Sequence, residues 1–172
     1  VAGAGGGPLL QLGVDVRAWT QHVDSVMIAL SKGLSAPVGS ILAGDRDFIE
    51  QARKARKLLG GGMRQAGVIA AAGIVALETM TERLVEDNEV AAAIARELAA
   101  NDGIDIDVER VQTNIVLFSL PEGNTAAAFL DKLAEQGVWA VAMGPRQVRF
   151  VTHRHVSLDD VPHIAAAVRA SL

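Results

Sequence analysis

The sequence predicts an α/β protein in three parts: one piece of an α/β sheet, a long connecting helix, and a compact α+β unit. Three observations lead there. Two short apolar runs bounded by glycine or proline, Ser25-Val-Met-Ile-Ala-Leu30 and Ser40-Ile-Leu-Ala43, read as strands. A helical pattern then runs from about Met63 to about Ala100. From about Gly103 onward, strand and helix signals alternate at short spacing. The chain has 172 residues, which suits one domain of ordinary size and hardly two complete ones. Half of the residues are hydrophobic, enough to bury a core and to exclude disorder for most of the length.

In chain order, residues 1–8 are glycine-rich and loop-like. They approach the dinucleotide fingerprint GxGxxG, but the third glycine would fall at Pro8, so that reading fails. Leu9 to Leu12 suits a short helical end stopped by Gly13, and Asp15 to Thr20 a second short helix. Ser25 to Leu30 reads as a buried strand and Ser40 to Ala43, after Pro37, as another. Asp45 caps a helix that carries Phe48 and Ile49, then the basic run Arg53, Lys54, Arg56 and Lys57, and breaks at Gly60-Gly61-Gly62. The long helical pattern follows, with a weak point near Asp87-Asn88.

Ile104 to Val108 and Ile115 to Leu120 read as strands, with Pro121 to Asn124 as a turn. Thr125 to Gln136 is helical with Gly137 as its C-terminal cap. Val138 to Met143 pairs with Val148 to Thr152 across Gly144-Pro145, and Ser157 caps a last helix. The predicted organisation is therefore 1–62, 63–102 and 103–172.

The net charge of −4 argues against nucleic acid or an anionic membrane as the main partner. With no cysteine there is no disulfide framework, thiolate nucleophile or cysteine-ligated metal. The stretch Ala66 to Leu77 is too short to span a bilayer, and residues 1–14 lack the basic and apolar regions of a signal peptide. A small soluble cytosolic protein fits this composition best.

Lys32 carries the first chemical signal. It follows an apolar strand, precedes a glycine, and lies among Ser31, Ser35 and Pro37. Functional side chains gather at strand ends of α/β sheets. A partly desolvated lysine there has a lowered pKa, and its neutral amine can form a Schiff base. Gly33 would let a ring approach the backbone. The plain alternative is a strand-end lysine that snorkels to solvent.

The segments SVMIALSKGLSAPVGSILAG, KARKLLGGGMRQAGVIAAAGIVALE and QVRFVTHRHVS resemble the threonine aldolases of the β-eliminating lyase family. Matching segments run from about Leu12 to the end of the chain. The resemblance implies a pyridoxal-phosphate enzyme and the C-terminal part of the aspartate-aminotransferase-like α/β fold. Residues 1–62 would close the large cofactor domain, 63–102 would form the connecting helix, and 103–172 the small domain. The implied reaction cleaves the Cα–Cβ bond of β-hydroxy-α-amino acids, taking threonine or allo-threonine to glycine and acetaldehyde. The resemblance also implies a homo-oligomer.

By the same resemblance Lys32 is the catalytic lysine that holds the cofactor aldehyde. Arg149 grips the substrate α-carboxylate, a task that suits a planar bidentate fork. Arg64, after three glycines at a helix start, is a cofactor contact at a natural anion site. Lys57 is an additional substrate-binding candidate. Read without the family, Arg149 could equally pair with a surface carboxylate, and the basic run is a solvated helix face. Arg146 reads as solvated, and His22 and His163 as surface or capping residues. His153 and His155 would share a strand face, but no acidic third ligand stands at a suitable spacing, so no metal is expected.

The pattern departs from the family in two ways: the family's N-terminal half, with its phosphate-binding loop, ring-stacking histidine and acid–base groups, has no counterpart here, and one motif is changed. An aspartate–glycine–alanine–arginine motif, whose aspartate pairs with the pyridine nitrogen, is replaced by Val1-Ala2-Gly3-Ala4. Two readings compete: the C-terminal half of a threonine aldolase, or a non-catalytic remnant with a structural or oligomerisation role. An unrelated α/β binding module is the third.

Overall fold

A computed structural model describes residues 15–172. The expectations for residues 1–14, including the short helical end, the Gly13 stop and the departure at Val1–Ala4, lie outside the described residues. The chain divides into two compact units, Val1–Leu84 and Val85–Leu172.

In the first unit a short helix α1 (Val16–Thr20) precedes an antiparallel ribbon of β1 (Ser25–Ala29) and β2 (Ser40–Gly44). The register pairs Met27 with Leu42 and Ala29 with Ser40. Both strands fall where the apolar runs placed them, but neither is buried. Every residue of β2 is exposed, and only Leu30, just past the end of β1, is buried. Apolar runs report strand propensity, whereas burial depends on what packs against the sheet.

Helix α2 (Arg46–Leu58) starts where expected. The Asp45 carboxylate accepts the Phe48 N–H at 2.7 Å, satisfying one of the free donors of the first turn. The helix ends in a Schellman arrangement: Gly60 has φ +79°, its N–H donates to Lys57 C=O, and Gly61 N–H donates to Arg56 C=O. The basic run Arg53–Lys57 lies exposed on this helix.

The single long helix is corrected by the structure. Residues 64–66 form a turn, α3 spans Gly67–Thr79, and a second turn separates it from α4 (Leu84–Ala99). The interruption falls at residues 80–83, not at Asp87-Asn88. Thr79 and Thr81 donate their hydroxyls to the Val75 and Leu77 carbonyls, each at 2.7 Å, and offer the backbone an alternative to the helix ladder. Asp87 and Asn88 instead lie buried within α4. The first unit's core is small: Leu30, Leu34, Ala36, Ala76 and Leu84, with Ile28 and Met80 against it.

The second unit has a three-stranded antiparallel sheet of order β3 (Ile115–Ser119), β5 (Gln147–Val151), β4 (Val141–Ala142). Helices α5 (Ala126–Glu135) and α6 (Val161–Ser171) complete it with α4. The expected hairpin across Gly144-Pro145 and the Thr125 and Gly137 caps are present. Val116, Phe118, Val148 and Phe150 alternate inward from the sheet to meet Phe129, Leu133, Val90, Ile94 and Leu98. The strand expected at Ile104–Val108 is reduced to a single bridge, Asp105 with Ser119. Its alternate residues Ile104, Ile106 and Val108 do pack on the core, but Asp107 accepts the Glu109 N–H and turns the chain into a 3-10 turn, Val108–Arg110.

Ser157 and Asp160 form a capping box ahead of α6, with Ser157 N–H and hydroxyl on the Asp160 carboxylate at 2.8 and 3.0 Å. These bonds, the backbone one first, and the nearby His163 hold the Asp160 carboxyl below the usual aspartate range. Its folded value therefore lies under its unfolded one. The stabilisation is present at pH above the unfolded value and is lost as pH falls through the folded value. In the Asp160→Asn chain, acid unfolding followed by circular dichroism is expected to lose this part of its pH dependence. An unchanged acid limb would show that the box does not contribute.

Candidate functional site

Lys32 lies in the loop between β1 and β2. This loop closes on itself through three backbone bonds: Leu30 N–H to Gly39 C=O at 3.0 Å, Ala36 N–H to Leu30 C=O at 3.0 Å, and Ser35 N–H to Lys32 C=O at 2.8 Å. Leu30, Leu34 and Ala36 are buried, so the intervening Ser31 and Lys32 face outward and are exposed. The expectation of a partly desolvated lysine is therefore not met by these residues. The cause is the ribbon itself, which is open along β2 and offers no wall at the strand end.

The space beside Gly33 is also taken. A Cβ at residue 33 would come within 2.7 Å of Leu84 Cδ2, so the close approach this glycine permits is that of a core leucine, not a ring. On the other side of the core, a Cβ at Gly73 of α3 would come within 3.0 Å of Leu30 Cδ1. The lysine loop is thus seated on α3 by close contact.

Arg64 is exposed and lies in the turn before α3, three residues short of its first residue, rather than opening the helix. Gln65 beside it has φ +50°. Ala66 makes no side-chain cap, and the first turn of α3 carries no acidic residue. Lys57, at the end of α2, lies back over the glycines. A Cβ on Gly62 would meet its Cδ at 3.0 Å and lie 3.7 Å from its Nζ. The structure therefore brings Lys57 to the glycine turn two residues ahead of Arg64.

Arg149 belongs to the second unit, at the centre of β5. It stands in register between Leu117 of β3 and Val141 of β4, and both of those flanking residues are exposed. Its Nε is buried and has no hydrogen-bond partner. The surface carboxylate of the alternative reading is therefore not engaged at this nitrogen, and an acceptor is wanted there. Arg146, read as solvated, instead donates Nε and Nη2 to Leu120 C=O at 3.0 and 2.8 Å and ties the turn to the end of β3.

His163 meets Gln136 C=O at 3.0 Å, a capping contact at the end of α5. His153 and His155 lie just past β5 with ring centroids 5.7 Å apart. His155 N–H donates to His153 Nδ1 at 3.3 Å, which engages that nitrogen within the turn. No cluster of three or more metal-ligating side chains occurs among the described residues. Two features escaped the sequence reading. The left-handed backbone of Ser35, at φ +59°, has no signal in the string Leu-Ser-Ala. Buried Thr152, whose hydroxyl donates to Asp87 C=O at 2.6 Å, looked like an ordinary strand-end residue.

A family model described as beta-eliminating lyase matches residues 8–121, most of the chain. The chain belongs to the beta-eliminating lyase family. Low-specificity L-threonine aldolase 1 of Arabidopsis thaliana is 36% identical over 165 residues, covering 95% of this chain and 46% of its own length. Low specificity L-threonine aldolase of Escherichia coli K12 is 43% identical over 160 residues, covering 93% of this chain and 46% of its own. The chain thus spans about half the length of the curated relatives it matches.

The crystal structure of a putative L-allo-threonine aldolase from Listeria monocytogenes superposes with a TM-score of 0.76 at 19% identity, over 95% of this chain and 49% of that one. The fold is part of the aspartate-aminotransferase-like α/β fold. The resemblance read from the lysine, glycine and arginine segments is borne out for family and fold. No helix among the described residues is long and apolar enough to cross a membrane.

Proposed function

We propose that this chain carries the lysine and arginine half of a pyridoxal-phosphate lyase that cleaves the Cα–Cβ bond of β-hydroxy-α-amino acids. Threonine and allo-threonine would yield glycine and acetaldehyde. In that reading residues 1–62 belong to the large cofactor domain, 63–102 to the connecting region and 103–172 to the small domain. The observation that carries it is Lys32: an exposed amine on a loop closed by its own backbone, in a chain of this family. Threonine aldolase relatives support the substrate class.

The residues present fit the group. Lys32 offers a primary amine to an aldehyde, and the unpartnered Arg149 Nε offers a donor to a carboxylate. Pyridoxal phosphate, when bound, supplies the electron sink that cleavage of the carbon–carbon bond needs. Lys32 would hold the cofactor aldehyde through its amine. Arg149 orients the substrate through its α-carboxylate, with Leu117 and Val141 as apolar flanks on either side. Arg64 contributes a cation to the cofactor phosphate, and Lys57 a second cation toward the substrate.

A cytoplasmic homo-oligomer is part of the proposal. Leu58 and Leu59, 86% and 87% exposed, and the open ribbon support subunit contacts, as apolar surface of this kind does. The same exposure favours the second reading, a chain with only a structural or oligomerisation role. Treating the 172-residue chain with pyridoxal phosphate and then borohydride separates the two. The enzymatic reading expects the label on Lys32 ahead of Lys54, Lys57 and Lys132. An even spread over the four, mapped by peptide mass spectrometry, sinks it.

A further inference from the structure

We propose that Ser35 is a positioning residue for Lys32 and acts through its left-handed backbone, not through its hydroxyl. This rests on reading Lys32 as the amine that captures the cofactor aldehyde. Only Ser35 and Gln65 among the described non-glycine residues have positive φ, and Ser35 stands at +59°. That region costs a residue with a Cβ free energy that a glycine does not lose. Such a conformation persists only where the surroundings over-determine it.

Here they do. Leu34 and Ala36 on either side of Ser35 are both buried in the cluster with Leu30, Ala76 and Leu84. With Leu34 and Ala36 both anchored, the reversal must occur at the residue between them. Ser35 N–H donates to Lys32 C=O at 2.8 Å, and the left-handed turn that follows at Ser35 lets Ala36 N–H return to Leu30 C=O at 3.0 Å. A right-handed or extended Ser35 would break the Ala36–Leu30 bond, release Ala36 from the core and open the loop that carries Lys32. Lys32 is therefore fixed at its carbonyl while its side chain stays free, which is the arrangement an amine needs to meet an aldehyde from a constant direction.

The test compares the full chain with Ser35→Gly, Ser35→Ala and Ser35→Val. Two readouts are taken: amide hydrogen exchange at residues 35 and 36, and the share of borohydride-fixed pyridoxal phosphate on Lys32 relative to Lys54 and Lys132. Glycine and alanine differ only in the Cβ, so glycine is expected to slow exchange about five- to tenfold relative to alanine. Both should keep the share on Lys32, because the hydroxyl is not what matters. Valine, for which this φ is a true outlier, is expected to lower the Lys32 share about fivefold or more while labelling of Lys54 and Lys132 is unchanged.

Faster exchange with glycine than with alanine overturns the proposal, as does an unchanged Lys32 share in the valine chain. Loss of the share in both glycine and alanine chains would assign the role to the hydroxyl and equally overturn it. Should the valine chain not fold, the glycine–alanine comparison decides. If the parent chain shows no preference for Lys32, the functional reading fails and the positioning role falls with it. The exchange ratio then tells only whether the left-handed turn is real.

Discussion

Replacing Lys32 by alanine is expected to abolish the capture of pyridoxal phosphate while leaving folding stability within about 0.5 kcal/mol of the parent. The two halves of this expectation have different origins. Lys32 is exposed, and the loop around it is held by the backbone atoms of residues 30–39 and by the side chains of Leu30, Leu34 and Ala36. None of those contacts needs the lysine side chain. The proposed chemistry needs it entirely, because no other lysine among the described residues sits on a loop closed in this way. On the proposed reading, cleavage of allo-threonine by the full enzyme should fall by on the order of a thousandfold or more, as loss of a covalent nucleophile does elsewhere. The measurements are a denaturant titration, the cofactor's visible absorbance band, and glycine formation. Capture at the parental level by a lysine other than Lys32 would move the site. A large stability loss would instead make Lys32 a structural residue.

Features of the fold that are decided locally were legible in the sequence. Asp45 and Thr125 cap helices because a short polar side chain reaches an N–H three residues on, and Ser157 is tied to the Asp160 carboxylate ahead of α6. Gly60 and Gly137 end helices because a left-handed residue without a Cβ is cheap there. Features decided by partners distant in sequence were not. The apolar run Ser25–Leu30 specified a strand but not its burial, which needs a second layer that β2 does not provide. Ile104, Ile106 and Val108 alternate as a strand would, yet Asp107 bonds its own backbone and only one bridge forms.

The candidate site divides in the same way. Lys32 and Arg149 could be found from their segments, since residue type and strand context are both local. The orphaned Nε of Arg149 and the bidentate hold of Arg146 on Leu120 depend on neighbours brought together by the sheet. Ser35 is the extreme case. Its conformation is imposed by the burial of Leu34 and Ala36 against residues of α3 and α4, and no local propensity announces it.

Phe118→Ala is expected to destabilise the second unit by about 3–5 kcal/mol, in the upper part of the range for buried large-to-small changes. Phe118 is nearly fully buried and meets two other phenylalanines edge-to-face. Phe129 of α5 lies 6.2 Å away at 82°, and Phe150 of β5 lies 5.2 Å away at 73°. The ring therefore joins β3, β5 and α5 at one point. Truncation removes both aromatic pairs, each contributing about 0.5–1.5 kcal/mol beyond the area they bury. It also leaves a cavity whose walls include Val116 and Val148, both held in the sheet ladder and unable to move inward. Phe118→Leu, which keeps most of the volume and loses the ring contacts, should cost markedly less. Urea unfolding of the two variants gives both values. A cost under about 2 kcal/mol for alanine would mean that the core relaxes around the gap. A leucine cost equal to that of alanine would show that the ring contacts, not the filled volume, hold these elements together.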